Sequence, residues 1–262
     1  MPASAVQTIR SGRTLEITLD RPKANAIDTP TSRLLGETFR DFRDDPELRV
    51  AIVTGAGEKF FSAGWDLKSA AAGTETPDAD YGVGGFGGLQ ELIGMNKPVI
   101  AALNGMAVGG GFELALSADL ILAADHVRFA LPEIKAGTLA DAATIKLPRR
   151  MPYHVAMDLL LTGRWMEVAE AKQWGLVNEI LPAAGLMPRA REVATLLADG
   201  PPLVFAAIKE VVRETEGLPF LQAMALVNRR KFPAVDKLYA SEDQKEGPRA
   251  FAEKRAPMWR GR

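Results

Sequence analysis

Glu113 and Glu133 are the side chains of this sequence best placed for chemistry, because each stands beside a segment that can bring backbone close to a ligand. Glu113 follows Gly109-Gly110-Gly111 within one helical turn, and Glu133 closes Phe129-Ala130-Leu131-Pro132-Glu133. Two carboxylates held near one another do not share a pKa. Burial and like charge push their values apart, leaving one acid and one base. Adding water to a double bond, or removing it, needs that pair. The three glycines follow a strand and open a helix, whose free N–H groups and positive dipole end favour developing negative charge. Each feature alone has a plainer explanation: tight packing for the glycines, a dipole-stabilising acid at 113, a surface acid at 133. The glycine run is neither a dinucleotide fingerprint nor a P-loop, since it lacks Gly-x-Gly-x-x-Gly and a Lys-Ser/Thr ending.

A third segment, Phe60-Phe61-Ser62-Ala63-Gly64-Trp65-Asp66-Leu67-Lys68, pinches the chain with small residues and could aim an N–H past Gly64 into a site. Ser62 is no nucleophile, because the Gly-x-Ser-x-Gly elbow and a suitable histidine are missing. His126 and His154, the only two histidines, read as surface or core residues, and the absence of cysteine excludes disulfides, thiolate catalysis and thiolate metal ligands. A net charge of −1, from 32 basic and 33 acidic residues, gives no electrostatic reason to expect nucleic acid or an anionic membrane. Met1 to Arg13 is too polar for a signal peptide, and no apolar run reaches the ~18 residues of a spanning helix. The expectation is a cytoplasmic protein.

The elements that must hold these residues read as alternating strands and helices, then mostly helices. Leu15-Glu16-Ile17-Thr18-Leu19 alternates like a half-buried strand. Thr29-Pro30 suggests an N-cap and first helical residue, with Leu35, Phe39 and Phe42 as the apolar stripe and Pro46 as the stop. Val50–Thr54, Val99–Leu103 and Leu120–Ala123 read as strands, and Gly109 to Ser117 as the glycine-led helix. Ala70 to Gly88 is a long, mobile loop, a candidate lid. From Tyr153 onward the chain is mainly helical; Ser241 and Gln244 have capping-box spacing, and Pro248 suits the first turn of a last helix carrying Phe251. The fold class expected is α/β.

Taken together, four segments in order resemble the crotonase (enoyl-CoA hydratase/isomerase) family. Asp20-Arg21-Pro22-Lys23-Ala24-Asn25-Ala26 is similar to its first acyl-CoA-binding turn, Ser62 to Leu67 and Gly109-Gly110-Gly111 to the halves of its oxyanion hole, and Phe251-Ala252-Glu253-Lys254-Arg255 to its C-terminal signature. The resemblance implies a ββα spiral core over residues 1–200 and a helical oligomerisation section over 201–262, forming a homotrimer or a dimer of trimers. It implies that the backbone N–H groups of Trp65 and Gly110 hold the thioester oxygen and that Glu113 and Glu133 are the acid/base pair. Lys23, Ala24, Lys59, Ala63, Asp66, Leu67 and Lys68 match positions that contact substrate and coenzyme A, with Lys254 reaching from a neighbouring subunit. Coenzyme A belongs to the acyl-CoA thioester substrate; neither a separate cofactor nor a metal is implied.

Within that family, Phe42 to Val50, Trp65 and Lys254 to Trp259 resemble the branch that interconverts carnitinyl-CoA and crotonobetainyl-CoA. Its substrate carries a quaternary ammonium, which cannot donate a hydrogen bond, so recognition must come from aromatic faces or a carboxylate. Trp65, Tyr81 and Phe86 are the candidate rings. The alternatives are a straight-chain enoyl-CoA hydratase and a non-catalytic acyl-CoA or RNA-binding homologue. One stretch departs from the family: after Gly137 a proline and a Gly-Gly pair are expected, where this chain has Ala140, Ala143 and Thr144. The departure is expected to reshape the acyl pocket without touching Glu113 or Glu133.

Overall fold

The computed structural model describes residues 4–262, so the first three residues of the polar N-terminal stretch lie outside it. The strands are β1 (Val6–Ser11), β2 (Thr14–Leu19), β3 (Ala26–Ile27), β4 (Val50–Gly55), β5 (Phe60–Ser62), β6 (Gly64–Trp65), β7 (Val99–Leu103), β8 (Met106–Val108), β9 (Leu120–Ala124), β10 (Arg128–Ala130), β11 (Trp165–Glu167) and β12 (Glu179–Leu181). A large sheet runs β1-β2-β4-β7-β9-β12, with β1 antiparallel to β2 and every other pair parallel. A small sheet runs β11-β10-β8-β5, and β3 pairs with β6. Three times in succession the chain gives one strand to the large sheet and the next to the small one ahead of a helix: β4 and β5, with β6 before the helix, then β7 and β8, and β9 and β10. This is the ββα spiral that the resemblance implied.

The strand sequences fit these places. β4 and β7 are uncharged runs, buried throughout, as parallel strands covered on both faces must be. β2 corrects the half-buried expectation: Glu16, on its supposed wet face, is only 7% exposed. Helix α8 (given below) lies over it, and Arg191 pairs with both Glu16 oxygens at 2.8 and 2.9 Å. Alternation in sequence reports polarity, and a paired glutamate can be covered.

Five helices serve the site: α1 (Thr29–Asp44), α2 (Leu67–Ala71), α3 (Gly110–Leu116), α4 (Glu133–Ala136) and α5 (Asp141–Arg150). The N-cap of α1 is Asp28, which accepts from Thr31 N at 2.9 Å, and not Thr29. Thr29 is taken by another partner: its N–H and hydroxyl both donate to the buried Glu75 carboxylate. Glu75 therefore ties the long loop to α1, and Arg33 adds a pair to Asp80 at 2.8 Å. The loop itself begins with α2 and contains a short turn of helix at Phe86–Gly88.

Beyond α6 (Tyr153–Thr162), α7 (Val168–Gln173) and α8 (Ala183–Ala198) the chain is wholly helical: α9 (Pro202–Thr215), α10 (Phe220–Asn228), α11 (Pro233–Tyr239) and α12 (Glu242–Glu253). The main hydrophobic core draws its buried residues from Val6 to Ala198, whereas Ala207, Phe232 and Val235 form a separate small cluster. Ser241 caps α12 as expected, accepting from Gln244 N at 3.1 Å. Pro248 lies inside that helix and not in its first turn. The cap sets the start, and an interior proline removes one donor there.

Candidate active site

Three segments emerge side by side from the small sheet. β5, β8 and β10 are adjacent and parallel, so their C-terminal ends lie together and deliver Gly64, Gly109-Gly110 and Glu133 to one place. Ligands commonly bind beyond such strand ends in α/β sheets. The approach is close enough to exclude side chains. Gly64 sits at φ +77°, and a Cβ there would stand 2.6 Å from Gly110 N and from Val108 O. A Cβ on Gly109, at φ +54°, would meet Glu133 Oε1 at 2.6 Å. Ser62 is structural: its buried hydroxyl donates to Asn25 O at 2.6 Å and accepts from Gly64 N at 3.1 Å. That bridge, with Ala63 N donating to Ala24 O at 2.9 Å, ties the Asp20–Ala26 turn to the Gly64 segment.

Glu113 projects from the first turn of α3 and Glu133 opens α4; both line one pocket of about 160 Å³ with Trp65, Tyr81, Phe86, Gly110 and Asp141. Glu113 is 7% exposed, and burial raises its pKa against the opposing pull of the Ala143 backbone N–H. That N–H donates to Glu113 Oε1 at 2.9 Å. α5 has no side-chain cap of its own at Ala140, so Glu113 caps it from α3. The departing segment therefore does touch Glu113, contrary to the expectation, through backbone. Ala140 and Ala143 are buried away from the pocket, and Thr138, Leu139 and Asp141 line it instead.

Glu133 is pushed up to about 7, mainly by burial and further by the charges of Glu113 and Asp141, while its own backbone N–H pulls the other way. Its Oε2 is buried without a hydrogen-bond partner, free to exchange a proton with a bound molecule. Lys146 stands near Glu113, donating to Ser117 Oγ at 2.7 Å, and is held down to about 8 by burial and then by Arg150.

The loop closes one side. Tyr81 and Phe86 meet edge to face, centroids 5.3 Å apart. The Tyr81 hydroxyl donates to Thr76 O at 2.9 Å, with the Trp65 indole N–H beside it. Burial and the Glu75 charge raise the Tyr81 pKa. Gln90 Nε2 is also buried without an acceptor.

A second hollow of about 250 Å³ shares Trp65, Glu133 and Thr138 with the first and adds Ala63, Leu67 and Lys135. Of the sequence-expected contacts, Ala63 and Leu67 are thus at the site, while Ala24 supports Ala63 through backbone. Asp66 is occupied: it caps α2 and pairs with Arg21 at 2.8 Å. Lys23, Lys59, Lys68 and Lys254 are exposed and line neither hollow; Lys59 lies beside a separate one with Asn104 and His126. Both histidines are exposed. Asp141, Gln90, Glu91 and Lys146 were missed by sequence reasoning; only the first-turn position of Asp141 could have been noticed. Among the described residues no group of three or more His, Asp or Glu side chains could hold a metal ion, and no helix is long and apolar enough to cross a membrane.

A spiral of ββα turns that brings Glu113 and Glu133 onto one pocket with Trp65 and Gly110 defines the crotonase class of enzyme. The chain belongs to the enoyl-CoA hydratase/isomerase family, which it matches over residues 10–262. It is 53% identical, over 99% of its length and 100% of the relative's, to a carnitinyl-CoA dehydratase of Escherichia coli (strain K12), and 52% identical over the same shares to one of Salmonella typhi. Among solved structures it is similar to an enoyl-CoA hydratase from Mycobacterium tuberculosis H37Rv, with a TM-score of 0.88 and 38% identity, covering 98% of this chain and 99% of that one. An enoyl-CoA hydratase from Bacillus anthracis gives the same TM-score at 30% identity over 99% and 100%.

Proposed function

We propose that this protein interconverts carnitinyl-CoA and crotonobetainyl-CoA, with Glu113 and Glu133 as the acid/base pair and the N–H groups of Trp65 and Gly110 as the oxyanion hole. The observation that carries the chemistry is the placing of the buried Glu113 and the half-buried Glu133 on one pocket with Gly110 and Trp65. The acyl group is suggested by the likeness to the two carnitinyl-CoA dehydratases. In dehydration the ionised glutamate takes the α proton, and the bond electrons move onto the thioester oxygen. As they return, the β carbon–oxygen bond breaks, and the protonated glutamate gives its proton to the leaving hydroxyl, which departs as water. The pair holds one proton before and after, so hydration runs through the same groups reversed. No separate cofactor enters, and coenzyme A is carried by the substrate. The setting we propose is cytoplasmic.

The substrate's charge tests this reading. The expected result is a higher kcat/KM for crotonobetainyl-CoA than for its uncharged tert-butyl isostere, since a cation over aromatic faces gains about 0.5–2 kcal/mol. Replacing Trp65 with Leu keeps the backbone N–H and is expected to shrink the preference. Equal use of both thioesters by the wild-type protein would leave a straight-chain enoyl-CoA hydratase, as the solved relatives are titled.

For the C-terminal section, residues 201–262, we propose assembly into a homotrimer or dimer of trimers. Phe220 and Leu221 of α10 are 74% and 79% exposed, and Ile208 and Val212 of α9 are also open. Those large apolar side chains suit contact with a second copy better than water. Lys254, at the αL end of α12, would then approach a neighbour's site. Light scattering at micromolar concentration should give a mass of three or six chains; a monomer would reject both assembly and the role of Lys254.

A further inference from the structure

Acidic side chains line the larger part of the polar wall of the pocket. Glu91, Glu113, Glu133 and Asp141 face it, and no lysine or arginine does. Two of these acids are used for proton transfer in the proposed reaction. Glu91 underlies the loop, where its Oε1 would stand 2.5 Å from a Cβ on Gly85. Asp141 remains, the first residue of α5, exposed, with its carboxylate in no side-chain hydrogen bond or ion pair among the described residues. The same pocket is also lined by aromatic rings, Trp65 and the Tyr81–Phe86 pair. The unpartnered Gln90 amide can serve a hydroxyl or water, but a donor does nothing for a cation.

We infer that Asp141 is the specificity-determining counter-ion of this site, holding the substrate's quaternary ammonium against the rings of Trp65, Tyr81 and Phe86. The inference rests on the proposed function and names the residue that reads the substrate's charge. A tetraalkylammonium has no N–H, so its partners must be a net negative charge and π faces, and the pocket offers both. The negative charge has a second consequence. Asp141 raises the pKa of both glutamates when the pocket is empty. A bound cation beside Asp141 offsets that influence, so the acid/base pair meets the intended substrate in a different electrostatic setting from an uncharged one.

Asp141→Asn keeps size and position and removes the charge. With this variant, the ratio of kcat/KM for crotonobetainyl-CoA to that for the tert-butyl isostere is expected to fall tenfold or more, whatever the altered glutamate pKa values do to both thioesters together. The ratio of the two is the readout, because a fold defect or a general loss of proton transfer lowers both together. Equal losses on both thioesters, or an unchanged ratio, would overturn the assignment of Asp141 while leaving the carnitinyl-CoA reading intact. A wild-type protein that does not discriminate between the two would overturn both.

Discussion

Glu113→Gln and Glu133→Gln are each expected to lower turnover by on the order of a hundredfold or more, with the fold retained. Hydration moves protons at two carbons, and an amide can neither give nor take one at either. The measurement is steady-state hydration of the best substrate by each variant, and a near wild-type rate in either case rules the two-glutamate mechanism out. The same substitutions should leave a signature in stability. The carboxyl of Glu133 titrates at about 7 in the folded chain, above its ordinary 4.5, so the folded state binds that proton more tightly than the unfolded one. Its stabilising contribution is complete below pH 4.5 and is lost as pH rises through 7. Glu133→Gln should therefore gain on the wild type between pH 5 and pH 8, by on the order of 1–2 kcal/mol after allowing for partial solvent access. Thermal melts at the two pH values read the gain; a Glu133→Gln stability that, relative to the wild type, stays constant or falls from pH 5 to pH 8 would contradict the raised carboxyl.

The second large effect is expected from a single methyl group. Gly64→Ala should cut kcat by roughly a hundredfold to a thousandfold, the loss seen when one oxyanion donor is removed in other enzymes. The added Cβ would stand 2.6 Å from Gly110 N, in the gap between the two segments proposed to supply the oxyanion N–H groups. Positive φ adds backbone strain of about 1–3 kcal/mol. Gly73→Ala separates the two causes: Gly73 has a similar φ, +74°, with nothing within 4 Å of its Cβ position. It should lose stability and keep its rate. If Gly64→Ala, folded by circular dichroism, works as fast as Gly73→Ala, the two segments do not form one hole.

Much of this arrangement could be seen in the sequence, because its signals are local. The glycine run, the pinched Ser62–Leu67 segment and the alternation of strands with helices are each written in a few consecutive residues. What could not be seen depends on partners far along the chain. Glu16 looks like a solvent-facing residue until Arg191 covers it. Thr29 looks like a cap until Glu75, in the loop, claims its donors and leaves the role to Asp28. The Ala140–Thr144 segment was expected to act through its changed side chains, and it meets Glu113 through a backbone N–H instead. Asp141 carries no motif, and its meaning comes from the rings and carboxylates assembled around it.

The bond between Ala143 and Glu113 couples two properties that selection would gain from varying separately. The helix whose first residue, Asp141, lines the pocket starts on Glu113, the side chain proposed to handle a proton. Sequence drift at 140–144 which retunes the pocket also shifts the donor beneath the carboxylate, and with it that residue's acidity. New acyl preferences are thus reached more readily from the loop side, through residues such as Tyr81 and Phe86, than from the start of α5. A library that diversifies the loop should retain more active members than one of equal size that diversifies 140–144, and the survivors of the latter should cluster on substitutions that preserve the helix's first turn.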